Sequence, residues 1–294
     1  MPVRLLNTSL SKLVIAGNHD LSLDRDFVVS HREEDPQRRQ PSGLSSKEAD
    51  ARVNAARDLW MSANGRAKTE GVTYLDEGVH QISLPNGAVV NIYASPYTPE
   101  FWDWAFPYQL DEDRFNGPGT SLSDAKNIAP YPMPTRSKAR NPIDIVMTHG
   151  PPWMRLDPTE RVEAVGCPHL LRALMRTRPA LCCFGHIHEG WGAERLMWAD
   201  DAEHMPNKTC SISEWKQGGW KEGVKSTSPV RVDTDAARKD HAVFVDVSEK
   251  GGDAIQPGKE TLFVNAAIMD VSYRPINAPW VVDIDLPKKE SSSL

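Results

Sequence analysis

Three short apolar runs in this chain each stop at a glycine-containing turn rich in imidazole and amide groups. Leu13-Val14-Ile15-Ala16 runs into Gly17-Asn18-His19-Asp20. Residues 143–147, apolar but for Asp144, run into Thr148-His149-Gly150-Pro151-Pro152. Ala180 to Phe184 runs into Gly185-His186-Ile187-His188. A short continuous apolar run closed by turn residues reads as a buried strand. Such strands need both faces of their sheet covered, and helical patterns separate them here. The expected architecture is therefore an α/β domain with a mixed sheet, helices outside and sheets inside. In open α/β sheets the ligand crevice lies beyond the carboxyl ends of the strands. All three turns would then face one crevice, to which they bring Asn18, His19, Asp20, His149, His186 and His188. Four of the nine histidines fall in these turns, so the imidazoles are concentrated where a ligand would sit.

Neutral imidazole ligates divalent metals, and an asparagine carbonyl oxygen is a hard ligand beside it. Nitrogen donors suit Zn, Fe, Ni and Cu, oxygen donors suit Mn and Mg, and a mixed site permits several of these. His186 and His188 are two residues apart. On a helix they would diverge by about 200°, whereas on a loop after a strand both can enter one site. That spacing suits two ions about 3.5–4 Å apart better than one. Each turn alone also has a plainer reading, as a hydrogen-bonded loop histidine or a strand cap. Their recurrence after three buried strands favours a shared site. His31, His80, His169, His204 and His241 lack that setting and read as surface or core residues.

In this order GNHD, THGPP and GHIH resemble the later motifs of the calcineurin-like metallophosphoesterases. SPYTPEFWDWAF, the extension GHIHEGWG and LFVNAAIMDVSYRPINAPWVVDIDL are similar to one subgroup, fungal relatives of the metallophosphoesterase-domain-containing brain proteins. The resemblance implies a four-layer α/β/β/α sandwich with two divalent ions (Mn, Fe, Zn or Mg) at the sheet edge. It implies that Asn18, His149 and His186 ligate one ion and His188 the other. It casts His19 as the acid that protonates the leaving alkoxide and Asp20 as the carboxylate that orients His19. The nucleophile would be a metal-bridging hydroxide. The resemblance covers most of the chain except 200–260.

The family's two earlier motifs, Asp-x-His and Gly-Asp-x-x-Asp/Asn, are not found. The 16 residues before Gly17 contain neither Asp nor His, and no later Asp-rich stretch follows a buried strand. Without those carboxylates two dications would repel each other strongly, so at most one weakly held ion is expected. The reading adopted is a chain that lacks an upstream part, with its first strands and an edge of the sheet missing. The other is a short form that keeps the fold as a non-catalytic binding or regulatory protein.

The remaining sequence sets bounds. A formal net charge of -6 over 294 residues argues against binding duplex nucleic acid, and it says little about a small anionic substrate. Cys167, Cys182, Cys183 and Cys210 form no C-x-x-C pair and read as buried thiols in a reducing, cytoplasmic compartment; a zinc structural module has no cysteine cluster to rest on. No apolar run is long enough for a membrane span. The expectation is a single domain over 1–294 with a polar, partly disordered insertion at about 200–260. Residues 31–45 read as a loop, 46–66 as a helix capped by Ser46, and 111–142 as an irregular surface excursion. Trp102, Trp104 and Phe106 read as core aromatics near the site, and Arg155 and Arg161 as solvated cations within reach of a phosphate. Asn265 and Tyr273 receive no role. The expected partner is a small phosphoester, a nucleotide among the candidates, and the sequence carries no sign of oligomeric state.

Overall fold

The computed structural model describes residues 11–30, 45–84, 86–161, 163–200 and 210–286. The chain begins with β1 (Lys12–Val14), α1 (Arg25–Ser30), α2 (Ser46–Met61), α3 (Arg66–Thr69), β2 (Val72–Tyr74), β3 (Gly78–Ser83) and β4 (Val89–Ser95). Four minimal strands follow, β5 (Thr98–Pro99), β6 (Pro107–Tyr108), β7 (Glu112–Asp113) and β8 (Lys126–Asn127). Next come β9 (Ile145–Thr148), α4 (Pro168–Thr177), β10 (Leu181–Phe184) and β11 (Gly192–Trp198). The last elements are α5 (Ile212–Gln217), β12 (Val224–Pro229), α6 (Thr234–Asp240), β13 (Val243–Asp246), β14 (Glu260–Asn265) and β15 (Trp280–Asp283).

Seven strands form one mixed sheet in the order β12-β11-β14-β10-β9-β4-β3. The central strands β4, β9, β10 and β14 are parallel to their neighbours within that group. The outer strands β3, β11 and β12 pair antiparallel. Alternation along each central strand assigns its side chains to two faces. Tyr93, Val146, Cys182, Phe184 and Phe263 pack with Leu170, Leu171 and Leu174 of α4. The Cys167 sulfur caps α4 by accepting from the Leu170 N–H at 3.3 Å, and Arg178, at φ 47, ends it. Pro168 fits the first turn because its missing N–H would have had no helical partner.

The opposite face carries two parallel ribbons, β1–β2 and β13–β15. Leu13 and Ile15 pack with Ile92, Ala94 and Met147, while Val245 and Val282 pack with Leu262 and Val264. Outside the first ribbon, Ala56 and Trp60 of α2 meet Ala16 and Tyr74. The layers are therefore α4, the large sheet, the ribbons and α2, an α/β sandwich. This stacking places the carboxyl ends of β1, β9 and β10 side by side at one edge.

Several local expectations change. Ser45, rather than Ser46, caps α2, with its hydroxyl accepting from the Glu48 N–H at 3.3 Å while the Glu48 carboxylate accepts from the Ser45 N–H at 2.7 Å. The helix stops at Met61, and Gly65 opens the separate turn α3. Residues 111–142 are irregular, yet Phe115, Leu122 and Met133 are buried in the α4 cluster. Their apolar side chains follow no period, so the pattern does not announce their burial.

The 200–260 stretch also departs from its expectation. Residues 201–209 lie outside the described residues, as do 1–10, the 31–44 part of the expected loop, and the tail 287–294. Residues 210–260 instead carry regular elements. Trp215 of α5 is buried in the main core, β12 is an edge strand of the large sheet, and β13 belongs to a ribbon. β12 is mostly exposed, and a solvated edge strand does not need an apolar sequence. All four cysteines are free, with Cys167 and Cys182 buried. Among the described residues no helix is long and apolar enough to cross a membrane.

Candidate functional site

The first turn is closed by its own atoms. The Asp20 N–H donates to the Gly17 carbonyl at 3.0 Å, and the Gly17 N–H donates to the Asp20 carboxylate at 2.7 Å. The described contacts therefore give Asp20 to the turn's backbone rather than to the His19 imidazole. A carboxylate three residues after a free N–H reaches it more readily than it reaches the adjacent ring. His19 is exposed and tilts against Trp104, with ring centroids 4.2 Å apart. Asn18 is buried, and its carbonyl accepts from the Ala105 N–H at 3.1 Å, which ties the aromatic loop to the turn.

The second turn meets the first. His149 follows β9, its N–H donating to the Ser95 carbonyl at 3.0 Å and its own carbonyl accepting from the Gly185 N–H at 3.1 Å. Its Nε2 lies 2.8 Å from Asn18 Oδ1, and the amide oxygen can only accept, so Nε2 carries the proton. Position 17 has to be glycine for this to happen. A Cβ there would lie 2.7 Å from the His149 ring.

The third turn completes the cluster. His186 has φ 66, and its ring centroid is 4.8 Å from that of His149. His188 Nδ1 donates to the Asp270 carbonyl at 3.0 Å, which leaves Nε2 as the lone-pair nitrogen. Asn265 holds this turn. Its amide N–H groups donate to the Leu156 and Ile187 carbonyls at 3.0 and 2.8 Å, and its Oδ1 accepts from the Ala267 N–H at 3.0 Å. Gly190 is needed here too, because a Cβ would meet the Leu156 carbonyl oxygen at 1.9 Å.

Burial pushes His149 down to about 3, and the neighbouring His186, His19 and His188 push it further in the same direction. His186 is held at about 4, again first by burial and then by His188 and His19, with Glu189 pulling it back up. Both rings are thus neutral near pH 7, the form that binds a cation.

The structure brings together Asn18, His19, His149, His186 and His188, all of which line one cleft of about 610 Å³. Asp20 faces a neighbouring hollow with Gly17 and His149. The three aromatics considered as core divide. Phe106 is core, edge-on to Tyr97 at 5.3 Å, whereas Trp104 supports His19 and Trp102 is 78% exposed at the cleft. Arg155 is buried beside Glu194 at 3.2 Å and does not line the cleft. Phe101 and Tyr273 also line the cleft, and Asn265 supports it from behind, though the sequence assigns none of them a role. Asn265 could have been given one, since it ends the apolar run Leu262-Phe263-Val264 as Asn18 and the histidines end theirs.

By donor type, three imidazoles and an amide oxygen suit one divalent ion that favours nitrogen rather than two, but as placed they do not form a metal site. The set carries no carboxylate, His149 Nε2 and Asn18 Oδ1 face each other, and among the described residues no three His, Cys, Asp or Glu side chains converge as a metal site.

Comparison with known proteins places these observations in context. A family model described as calcineurin-like phosphoesterase matches residues 3–190. Human metallophosphoesterase domain-containing protein 1 is 25% identical over 284 residues, covering 94% of this chain and 56% of that protein. A UPF0046 protein of Caenorhabditis elegans is 29% identical over 185 residues, 62% of this chain and 39% of that protein. A probable rhamnogalacturonate lyase C of Emericella nidulans is 31% identical over 189 residues, 64% of this chain but 13% of that protein. The chain thus spans little more than half the length of these relatives at most.

Proposed function

This chain belongs to the calcineurin-like phosphoesterase family, and from that premise we propose that it hydrolyses a small phosphate mono- or diester with the help of a divalent metal ion. The observation that carries this reading is the meeting of three strand-end turns, with His149 2.8 Å from Asn18 and its ring 4.8 Å from that of His186. Neutral imidazoles and an amide oxygen gathered at strand ends around one cleft are candidate ligands.

On this reading His186 and His188 would hold one ion, joined by His149 and Asn18 once the bond between His149 Nε2 and Asn18 Oδ1 opens. An imidazole-rich set favours Zn or Fe over Mg. A bound divalent ion acidifies water and neutralises charge on phosphoryl oxygens. The protein's own contribution is positional. Asn265 and Gly190 fix the turn that carries His186 and His188. The Asp270 carbonyl sets the His188 tautomer. His19, exposed at the cleft and braced by Trp104, donates the proton to the leaving alkoxide. Asp20 closes the turn that presents Asn18 and His19.

The test is hydrolysis of p-nitrophenyl phosphate and bis(p-nitrophenyl) phosphate by chelator-treated protein to which Zn, Fe or Mn is returned. Turnover should depend on the ion. His19→Ala should lower kcat toward an alkyl phosphoester by about 10²–10⁴-fold, and far less toward the p-nitrophenyl esters, whose leaving group departs without a proton, while metal uptake, read by calorimetry, stays the same. His149→Ala should lower uptake itself. Turnover unchanged in both variants would sink the reading.

A second reading has one observation in its favour. The His149–Asn18 bond and the carboxylate-free donor set suit a non-catalytic protein that binds phosphoesters on the same fold. Binding of either ester without turnover at any ion concentration would select it.

A further inference from the structure

The histidine turn is flanked on both sides by apolar side chains that fill no core. On one side Phe101 and Trp102 stack on each other, with centroids 5.3 Å apart and planes 9° apart. They are 54% and 78% exposed. Trp102 is held at φ 53, a backbone conformation unfavourable for a bulky side chain and one that persists where the surroundings impose it. The Phe101 ring meets the His186 ring edge-on at 6.3 Å. On the other side Tyr273 meets the His188 ring edge-on at 5.6 Å, and Met269 and Val271 stand exposed beside it. Asn18, His19 and His149 complete the lining of the cleft shared by these walls, about 610 Å³ in volume.

Exposed apolar residues scattered singly carry no meaning, whereas a contiguous set around a concave polar site does. The charged groups narrow the ligand further. Glu100 and Glu189 line the cleft, and among the described residues no Lys or Arg does. Away from the histidines a polyanion would meet carboxylates and no cationic side chain. A ligand with little charge of its own and a flat apolar face would meet a stacking surface.

We infer that this cleft is a subsite for a planar aromatic or heteroaromatic group carried by a phosphoester of low charge, with Phe101 and Trp102 as its specificity-determining residues. The inference rests on the phosphoester reading for the group at the histidines, and on the aromatic walls for the rest. A planar group would lie along the exposed Trp102 face, with Tyr273 and Met269 closing the other side.

Calorimetric titration of the full chain tests it with three probes, 1-naphthyl phosphate, methyl phosphate and uncharged 1-naphthol. 1-Naphthyl phosphate should bind at least about tenfold more tightly than methyl phosphate. Combined Phe101→Ala and Trp102→Ala should remove that advantage and leave methyl phosphate affinity unchanged. Both side chains are more than half exposed, so the double variant should keep its fold, checked by circular dichroism. Phe244→Ala, at an equally exposed ring on β13 that does not line the cleft, should change nothing. Equal affinity for the two esters, or an advantage that survives the double substitution, overturns the inference and spares the phosphoester reading. Binding of 1-naphthol alone, lost in the double variant, supports the aromatic subsite and overturns the phosphoester reading. Binding of neither naphthyl probe overturns the subsite outright.

Discussion

His149 and His169 are both imidazoles held inside the molecule, and burial lowers the proton affinity of each. They represent two different regions. His169 lies on α4 under the large sheet, where its Nε2 donates to the Leu110 carbonyl at 3.0 Å and the Asp113 carboxylate lies 3.7 Å from Nδ1. Its one hydrogen bond is to that carbonyl; Nδ1 and the Asp113 carboxylate oxygen facing it have no hydrogen-bond partner among the described residues. His149 sits at the sheet edge among His186, His19 and His188, each of which disfavours its protonated form. Burial and a lowered pKa are therefore common to core and site. What separates them is company: the core sets a single carboxylate beside its histidine, which favours the protonated ring, and the site crowds like groups around an open cleft. Structural networks perturb titration as readily as functional ones, so only the second pattern points to a ligand.

Four experiments can break or sharpen that contrast. The largest effect should come from the core. Phe263→Ala removes a fully buried ring facing α4 and should lower unfolding free energy by about 3–5 kcal/mol in urea titrations. A loss below about 1 kcal/mol would show that the α4 side is not the stabilising region.

Acid should act mainly through the site. The unfolded histidine value is about 6.5, and His149 and His186 lie at about 3 and about 4 when folded. The unfolded chain therefore binds more protons below pH 6.5. The stability these rings contribute is complete above that pH and is lost as pH falls toward their folded values. Between pH 6.5 and 5 the chelator-treated protein should lose on the order of 3 kcal/mol. His149→Ala should flatten this dependence. An unchanged slope would mean that the cluster is already open to water.

Asn265→Ala should come next. It leaves the Leu156 and Ile187 carbonyls without their donor, at about 1–3 kcal/mol. It should also weaken metal uptake, because it frees the turn bearing His186 and His188. Loss of stability with uptake intact would reduce Asn265 to a core residue. The smallest effect should be that of His19→Ala on folding. His19 is exposed, so stability should stay within about 0.5 kcal/mol of the parent while turnover falls. A large destabilisation would place His19 on the structural side of the comparison.

Much of this was legible from residue order alone. The three strand-end turns carry their own punctuation, and β9 and β10 lie where the apolar runs predict, whereas β1 spans Lys12–Val14, one residue ahead of its run and only half-buried. The helix Pro168–Thr177 is written in the i,i+4 pairs Leu170–Leu174 and Leu171–Met175, and the hairpin of β3 with β4 in Asn86-Gly87. The polar strand β12 was not legible, because an edge strand exposes most of its side chains. Nor was the burial of Phe115, Leu122 and Met133, whose irregular loop has no period to read.

At the site, local sequence determined which groups end the strands: Asn18, His149, His186 and His188 are the donors because turns follow β1, β9 and β10. Tertiary structure decided how those groups relate. The pairing of His149 with Asn18, across 131 residues of chain, depends on one ribbon lying across the face of the large sheet. The assignment of Asn265 to the Ile187 carbonyl and of Tyr273 to the His188 ring likewise arises only once the layers stack, whereas that of Asp20 to the Gly17 N–H is local to its turn. The physical reason is range. Turn and strand propensities act over a few residues, whereas the partner of a buried polar group is whichever donor or acceptor the packed layers bring within about 3 Å.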